Sequence, residues 1–256
     1  MRLMVEQIKM YHHKNFIMQR KFQYSLMAIW LTVFALTADS CFAHVRGNGK
    51  VVKEERTVSG FDAITVSNGI DVLISQDTFE KVVVETDENI QKILKTEVKE
   101  GKLKIYLDES VHNASQMKVY VTLKQLKSLE GNSGADVRSS GRINAESLKI
   151  HASSGSDVKM EVDCGQLMLD SSSGSDLTVS GTAQWLKASA SSGSDLNGAK
   201  LVAEKGEVSA SSGSDLDVTV TKEAKAHASS GADVTVYGNP AIRDSNRSSG
   251  GDVSYK

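Results

Sequence analysis

Seven aspartates occupy the same position in a short phrase that repeats along the second half of the chain. Each follows two small polar residues, a glycine and one more small residue, and each precedes Val or Leu. The aspartates are Asp136, Asp157, Asp176, Asp195, Asp215, Asp233 and Asp252. Identical positions in a stack of repeats predict a ladder of carboxylates on the outside of the fold.

Neighbouring carboxylates in such a ladder repel each other by about 0.9 kcal/mol even in water, at a separation of about 4.8 Å. One interpretation is that each carboxylate accepts hydrogen bonds from corner backbone N–H groups and neighbouring Ser hydroxyls, as in an Asx-turn. The alternative is calcium, which prefers carboxylate and carbonyl ligands. Calcium-binding β-rolls, however, repeat a phrase of about nine residues with a second glycine that is absent here. The sequence therefore gives the ladder a structural role and makes it a candidate binding surface, and it predicts no metal site and no cofactor.

The other residues that could do chemistry do not gather in one place. His151 and His227 share a position in the repeat but lie four repeats apart, about 19 Å at the spacing of paired strands. Cys164 lies in a turn-like Asp-Cys-Gly sequence, which favours a small structural residue over a reactive thiol. No catalytic residue is predicted, because an active site requires one place that differs from its neighbours, and the ladder is uniform.

Period-two alternation predicts that β-strands carry these residues. The odd positions counted from each glycine are apolar or small, as in Leu148, Ile150 and Ala152, and the positions between them are polar. The glycines recur every 18 to 21 residues, a period typical of a solenoid. Each repeat is predicted to be a coil of about 19 residues, with a strand, a Ser-Ser-Gly-Ser corner, a second strand from the aspartate and a short variable return such as 161–166. The predicted fold is all-β, a single-stranded parallel β-helix.

Residues 1–43 are predicted to be a signal peptide. Arg20 and Lys21 precede an apolar run, and small residues lead to Ala43, after which cleavage would leave His44 as the first residue. Met18 is a second candidate for the initiating methionine.

Cys41 offers an alternative to that cleavage. A cysteine just after an apolar run can be the lipidated first residue of a bacterial lipoprotein. The preceding residues, 38–40, lack the large aliphatic residue expected three positions before such a cysteine. The two alternatives decide whether the protein is tethered or free.

Residues 44–256 are predicted to form one domain. Residues 131–256 hold the regular repeats, and residues 47–130 are strand-rich but irregular, so they are predicted to begin the same stack and to cap it. Asn68-Gly-Ile-Asp-Val72 looks like a degenerate copy of the phrase. Residues 88–95 are predicted to make a helical turn or two, capped by Asp87.

The charge of the domain excludes some partners. Residues 1–43 hold five of the 30 Lys and Arg and two of the 32 Asp and Glu, so residues 44–256 carry a formal net charge of −5. A mildly acidic surface argues against nucleic acid as a partner, and against a membrane contact other than a lipid on Cys41. Cys164 is the one cysteine after residue 43, which excludes an intrachain disulfide there.

Two motifs resemble a known family. They are Phe61-Asp-Ala-Ile-Thr-Val-Ser-Asn-Gly-Ile-Asp-Val-Leu-Ile74, followed by Val82-Val-Val-Glu-Thr86, and the Ser-Gly-Ser-Asp series. Together they resemble the family described as "putative auto-transporter adhesin, head GIN domain", which belongs mainly to Bacteroidetes and was long catalogued as a domain of unknown function. The resemblance covers residues 47–256. It implies a right-handed β-helix in an exported bacterial protein, and it supplies no catalytic residues.

We therefore expect a non-catalytic binding protein of the bacterial cell envelope, an adhesin, in the periplasm, in the outer membrane or at the cell surface. The expected partner is a protein or glycan ligand at the cell surface, and homo-oligomerisation stays open. Two other classes also stay open, a structural scaffold module of the envelope and a β-helix enzyme that acts on polysaccharides.

The last repeat is predicted to cap the C-terminal end of the stack. Where earlier copies have Leu, Ile or Ala on the inward strand, this one has Arg243, Ser245 and Arg247. Charges at inward positions of an edge coil oppose edge-to-edge association. Residues 240–256 are therefore predicted to form a cap whose arginines reach solvent and pair with Asp244 or Asp252.

Overall fold

The computed structural model describes residues 44–256, and every regular element in that range is a β-strand. No helix among the described residues has the length and apolar character needed to cross a membrane. The strands in the irregular half are β1 (Val45–Arg46), β2 (Val51–Arg56), β3 (Ala63–Val66), β4 (Asp71–Gln76), β5 (Lys81–Asp87), β6 (Leu94–Lys99), β7 (Lys102–Leu107), β8 (Val111–His112), β9 (Met117–Leu123) and β10 (Ser128–Gly131). The repeats supply β11 (Asp136–Ala152), β12 (Asp157–Ser172), β13 (Asp176–Ser191), β14 (Asp195–Ser211), β15 (Asp215–Ser229), β16 (Asp233–Tyr237), β17 (Ile242–Ser248) and β18 (Asp252–Tyr255).

Each of the strands β11 to β15 makes almost a whole coil of the solenoid. The first part of β15 pairs with β16, and its last part pairs with β17. The stack therefore has two parallel faces. The post-corner face contains the segments that begin at the aspartates, and the pre-corner face contains the segments that lead into the next Ser-Ser-Gly-Ser corner. The return, predicted as a variable connection over 161–166, is instead continuous strand in β12, because its residues keep in-register partners in β13.

Bulges absorb the variation in coil length. Strands β12 and β13 are joined without a register shift, from Asp157 opposite Asp176 to Ser172 opposite Ser191. Coils that depart from 19 residues shift register within the strand, as between Arg138 and Arg142 in the pairing of β11 with β12. Every shift lies after the aspartate and before the next corner, so the corners themselves remain aligned.

Alternation along each strand fills the core. In β12, Val158, Met160 and Val162 are buried, while the alternate residues Asp157 and Lys159 are exposed. Each fully buried aliphatic side chain contributes about 1.5–3 kcal/mol through removal of its surface from water. One coil has no second layer to bury this face against, so the stack of coils is the unit that folds.

The irregular half begins the same stack. Strand β3 pairs in parallel with β10, and β4 pairs in parallel with β11 so that Asp71 lies opposite Asp136. The degenerate copy around Asn68 is therefore a corner of the solenoid, in register with the seven regular corners. Beyond it, β5 is antiparallel to both β9 and β2, and β6 is antiparallel to β7, so the pattern of the coils ends at this side.

The helical turn or two predicted over 88–95 is confirmed only as isolated turns. Residues 88–93 form turns in which the Gln91 N–H donates to the Asp87 carbonyl and the Leu94 N–H donates to the Ile90 carbonyl, and no helix forms before β6 begins at Leu94. The carboxylate of Asp87 does not cap this segment. It accepts hydrogen bonds from the backbone N–H of Gly49 at 2.6 Å, from the backbone N–H of Ser115 at 2.6 Å and from the hydroxyl of Ser115 at 3.0 Å. These bonds take up the carboxylate that the cap would have used. They could not be predicted from the residues around Asp87, because Gly49 and Ser115 are far from it in the sequence.

In the last coil, Arg243 and Arg247 occupy the register positions that the alternation predicts to be inward. Arg243 lies opposite the buried Ala224, and Arg247 opposite the buried Ala228, yet all of β17 is exposed. Arg247 forms an ion pair with Asp252 at 3.3 Å. Arg243 does not pair with Asp244. It donates to the carbonyl of Pro240 at 3.0 Å and lies 5.1 Å from the ring centroid of Tyr255.

Candidate functional site

The seven aspartates stand in one row along the edge where the post-corner face begins. Each is the register partner of the next, from Asp136 opposite Asp157 through to Asp233 opposite Asp252. Asp71 extends the row by one coil. We call these eight residues the corner ladder.

A tight turn before each aspartate sets its position. In the corner at 153–156, Ser154 and Gly155 both have positive φ, 55° and 69°, and the Ser156 N–H donates to the Ser153 carbonyl. Positive φ at both central residues defines a type I′ turn, in which Asn-Gly is the preferred pair. The first corner has that pair, Asn68-Gly69, with φ of 64° and 66°.

The residue just before the aspartate points inward and holds the corner together. Ser194 is fully buried, its hydroxyl donates to the Ser171 carbonyl of the preceding coil at 2.8 Å, and it accepts from the Ser191 N–H at 3.2 Å. Ser156, Ser175 and Ser214 are buried in the same way and bond to the equivalent groups. These four residues form an inward serine ladder. The sequence marked them as small inward residues, but not as hydrogen-bonding ones.

The aspartate carboxylates do not accept the hydrogen bonds that the Asx-turn interpretation predicts. The corner N–H groups bond to carbonyls of neighbouring coils instead, as the Gly193 N–H does to the Ser212 carbonyl at 3.1 Å. Backbone pairing between coils and the hydroxyls of the inward serines take up these donors, so the carboxylates receive none of them. This part of the sequence interpretation is wrong for the described residues.

Among the described residues, partners are present only near the two ends of the corner ladder, and Asp71 itself has no ion pair and no side-chain hydrogen bond. Arg138 donates to both carboxylate oxygens of Asp136, at 2.8 and 2.9 Å, and its guanidinium is 4.0 Å from Asp157. At the other end, Asp252 has Arg247 and the hydroxyl of Ser254. Within residues 44–256, the four carboxylates in between have no ion pair and no side-chain hydrogen bond. They are Asp176, Asp195, Asp215 and Asp233.

Two members of the row have a raised carboxyl pKa, first through burial and then through neighbouring charge. Partial burial, followed by the charges of Asp195, Asp233 and Asp217, raises the pKa of Asp215 above the usual value for an aspartate. Burial and the charge of Asp136 likewise raise the pKa of Asp71, against the lowering effect of Lys118 and Arg138. The middle of the corner ladder is therefore a concentrated and uncompensated negative surface.

The comparisons with known proteins agree with this architecture. The family model described as "Putative auto-transporter adhesin, head GIN domain" matches residues 60–240. The chain belongs to this family. The resemblance seen in the sequence is confirmed, and no curated protein matches the chain.

Solved structures share the fold of this head GIN domain protein. A "putative adhesin" from Bacteroides fragilis has a TM-score of 0.79 at 19% identity, over 83% of this chain and 100% of that one. A "putative adhesin" from Parabacteroides merdae has a TM-score of 0.64 at 18% identity, over 83% and 99%. A "putative lipid binding protein" from Parabacteroides distasonis has a TM-score of 0.67 at 20% identity, over 83% and 99%. At these identities the likeness shows the fold alone.

The remaining sequence candidates of the head GIN domain are dispersed in the structure. His151 lies 3.1 Å from Asp170 of the next coil, while His227 lies three coils beyond that aspartate in the same column. Cys164 lies in an open trough of about 730 Å³ lined by the return segments, and burial raises the pKa of its thiol to about 11. A thiol with that pKa is protonated at neutral pH and is a poor nucleophile. Cys41, the candidate for lipidation, lies outside the described residues.

No group of three or more His, Cys, Asp or Glu side chains in residues 44–256 is arranged to hold a metal ion. The carboxylates of the corner ladder follow each other in a row, one per coil, and do not converge on a point. An in-line row can present charge to an extended ligand more readily than it can enclose an ion.

Proposed function

We propose that this head GIN domain protein is an exported, non-catalytic binding protein of the cell envelope, an adhesin, and that its corner ladder contacts the ligand. The observation that carries the proposal is the group of four unpartnered carboxylates at Asp176, Asp195, Asp215 and Asp233. The ligand is a protein or glycan that presents positive charge, because complementary charge accelerates and orients binding to such a row.

The fold gives these carboxylates no stabilising role. The inward serine ladder and the backbone bonds between coils satisfy the corners, and the raised pKa of Asp215 reflects a charge that the folded state disfavours. Local features that lower stability without aiding the fold are expected at functional sites. A binding surface is the simplest role for them.

The absence of catalysis is supported by the uniformity of the surface. An enzyme of this architecture would need an acid and a base placed together against the substrate. The corner ladder repeats one residue type, its four middle carboxylates have no side-chain partner among the described residues, and Cys164 is buried with a raised pKa.

Export is supported by the sequence of residues 1–43, which lie outside the described residues, and by membership of an adhesin-type family. Cleavage after Ala43 would leave a free domain, and a lipid on Cys41 would tether it to a membrane. Mass spectrometry of the mature N-terminus, combined with cell fractionation, separates the two. A protein with an intact N-terminus in the cytoplasm would contradict export.

Binding is tested with panels of extracellular-matrix proteins and glycans, including amino-sugar polymers, against the immobilised domain. The triple variant D176N/D195N/D215N is expected to lose most of the binding, which should also weaken with added salt. The matched control K149Q/K225Q changes two exposed lysines on the pre-corner face and is expected to bind as wild type does.

Three results would contradict the proposal. Equal ligand binding by wild type and the triple variant would show that the corner ladder does not contact the ligand. A blank panel would favour the scaffold role. Cleavage of pectin, alginate or glycosaminoglycan by the purified domain would favour the polysaccharide-acting enzyme.

A further inference from the structure

Two exposed histidines, His44 at the first described residue and His112 in β8, lie side by side although they are far apart in the sequence. Strand β1 pairs in parallel with β8, so that Val45 lies opposite Val111 and Arg46 opposite His112. His44 and His112 lie on the same side of this two-stranded sheet, with ring centroids 6.2 Å apart. His44 Nδ1 is 2.7 Å from the hydroxyl of Ser110.

That separation fits two imidazoles on opposite sides of one metal ion. A ring nitrogen binds a divalent metal at about 2.0–2.1 Å, which places the ring centroid about 3.2 Å from the ion. Two rings in trans positions then have centroids about 6.4 Å apart, and two rings at a right angle about 4.5 Å apart. The observed 6.2 Å is close to the trans arrangement of a square-planar site.

A third ligand arises from the cleavage that the sequence predicts. Cleavage after Ala43 makes His44 the first residue, and its new α-amino group lies on the same residue as its imidazole, so the two can chelate one ion. We propose that the mature protein binds a copper(II) ion through the α-amino and imidazole nitrogens of His44 together with the imidazole of His112. This inference rests on the export and cleavage in the proposed function.

The choice of copper follows from the ligands. Three nitrogen donors with two imidazoles in trans favour square-planar geometry, and copper(II) is the strongest binder in the divalent series. Arg46, in register with His112, adds positive charge to this end of the sheet and no ligand. The affinity for the metal ion must therefore come from the three nitrogen donors. This disfavours divalent metals that bind nitrogen more weakly than copper(II) does.

Both histidine segments are fixed to the same buried carboxylate. Asp87 accepts hydrogen bonds from the N–H of Gly49 on the His44 side and from the N–H of Ser115 on the His112 side. The Val45 N–H donates to the Ser110 carbonyl at 2.9 Å, and the Asn89 side chain donates to the Arg46 carbonyl at 2.7 Å. A site held in this way loses little conformational entropy when the metal binds.

The test uses residues 44–256, in which all described strands pair among themselves, released from a fusion by a protease that leaves His44 first. Copper(II) affinity is measured by competition with a chromophoric chelator, and the number of nitrogen ligands by electron paramagnetic resonance. We expect one ion per chain and a three-nitrogen spectrum. Retaining Ala43, or introducing His112→Ala, is expected to weaken binding by at least about tenfold and to change the spectrum.

The control is His151→Ala, which removes an imidazole elsewhere on the surface and is expected to leave affinity and spectrum unchanged. If His112→Ala binds copper as wild type does, the ion is held by the N-terminal residue alone and the proposal is overturned. The proposal is also overturned if copper binds weakly and with the same affinity whether or not Ala43 is retained before His44.

Failure of this site and failure of the ligand-binding proposal are distinguishable, because the two share no residue. A native N-terminus at a lipidated Cys41 overturns the copper site and leaves binding by the corner ladder intact. If D176N/D195N/D215N loses ligand binding and still binds copper as wild type does, both the ligand-binding proposal and the copper site are supported.

Discussion

At the scale of single residues, the serine and the aspartate of each corner have different roles. Period-two spacing predicted their directions, and the structure has Ser194 buried and Asp195 exposed. The hydrogen bonds of the serine hydroxyl were not predicted, because spacing gives the direction of a side chain and not its partners. A buried hydroxyl must find partners, whereas an exposed carboxylate need not.

We expect Ser194→Ala to lower the free energy of unfolding by about 1–3 kcal/mol, because the Ser171 carbonyl and the Ser191 N–H lose a buried partner. Chemical denaturation measures the change. Ser172→Ala, at an outward position of a neighbouring corner, is the control and should have little effect. Equal losses in the two variants would show that burial of the hydroxyl is irrelevant.

The pH dependence of the free energy of unfolding should show the contribution of the ionised Asp87 carboxylate. Burial would raise the pKa of its carboxyl, but hydrogen bonds from Ser115, Gly49 and Gln116 together lower it below the usual value. A lowered folded-state pKa stabilises the protein above the unfolded-state pKa, and the contribution is lost as pH falls through the folded-state value. Asp87→Asn should therefore be destabilising at pH 7, by about 1–3 kcal/mol, and the difference from wild type should shrink towards acid pH. A difference that is independent of pH would contradict this account.

At the scale of elements, the repeat predicted the strands, the corners and their alignment. Alternation in the regular half was sufficient because each coil meets a neighbour with the same pattern. It was insufficient in 88–95, where the sequence predicted a helical turn or two and the chain makes only isolated turns before β6, which pairs with β7. It was also insufficient at the returns, because a strand that bends between two faces has no distinct sequence signal.

Two glycines compare backbone strain alone with backbone strain combined with a steric clash. Gly193 has a φ of 64° and open space where a Cβ would stand, whereas Gly181 has a φ of 116° and an added Cβ would lie 1.9 Å from the Val162 carbonyl oxygen. Gly193→Ala should cost about 1–2 kcal/mol from the left-handed conformation alone. Gly181→Ala should cost about 3 kcal/mol or more, since the backbone of the neighbouring strand must move. Thermal denaturation of the two variants side by side checks the order, which a reversal would contradict.

At the scale of the whole molecule, the stack of coils could be predicted from one residue pattern. The contacts between residues far apart in the sequence could not. The fold class and the coil length could be derived from the repeated phrase, and the family was indicated by the resemblance of 61–74, 82–86 and the repeats to its motifs. The paired histidines could not, because 68 residues separate them and they meet only through the pairing of two short strands.

The exposed last coil provides a prediction at this scale. Arg243 and Arg247 occupy inward register positions and keep the outer edge of β17 charged. R243L/R247L should associate with increasing concentration, as measured by analytical ultracentrifugation, because the edge becomes apolar and can pair with another chain. R138L, which removes an arginine from the post-corner face, is the control and should behave as wild type. A double variant that stays monomeric at the same concentrations would show that the arginines do not protect this edge.

The central claim is that the outward carboxylates are free for a ligand because the fold does not need them. The most direct test is the free energy of unfolding of D176N/D195N/D215N at pH 7 and low salt, relative to wild type. We predict that the variant is at least as stable as wild type, since three repelling charges are removed, and that any gain shrinks in about 1 M salt. A loss of more than about 1 kcal/mol would mean that the carboxylates accept hydrogen bonds on which the fold depends, and it would contradict the claim.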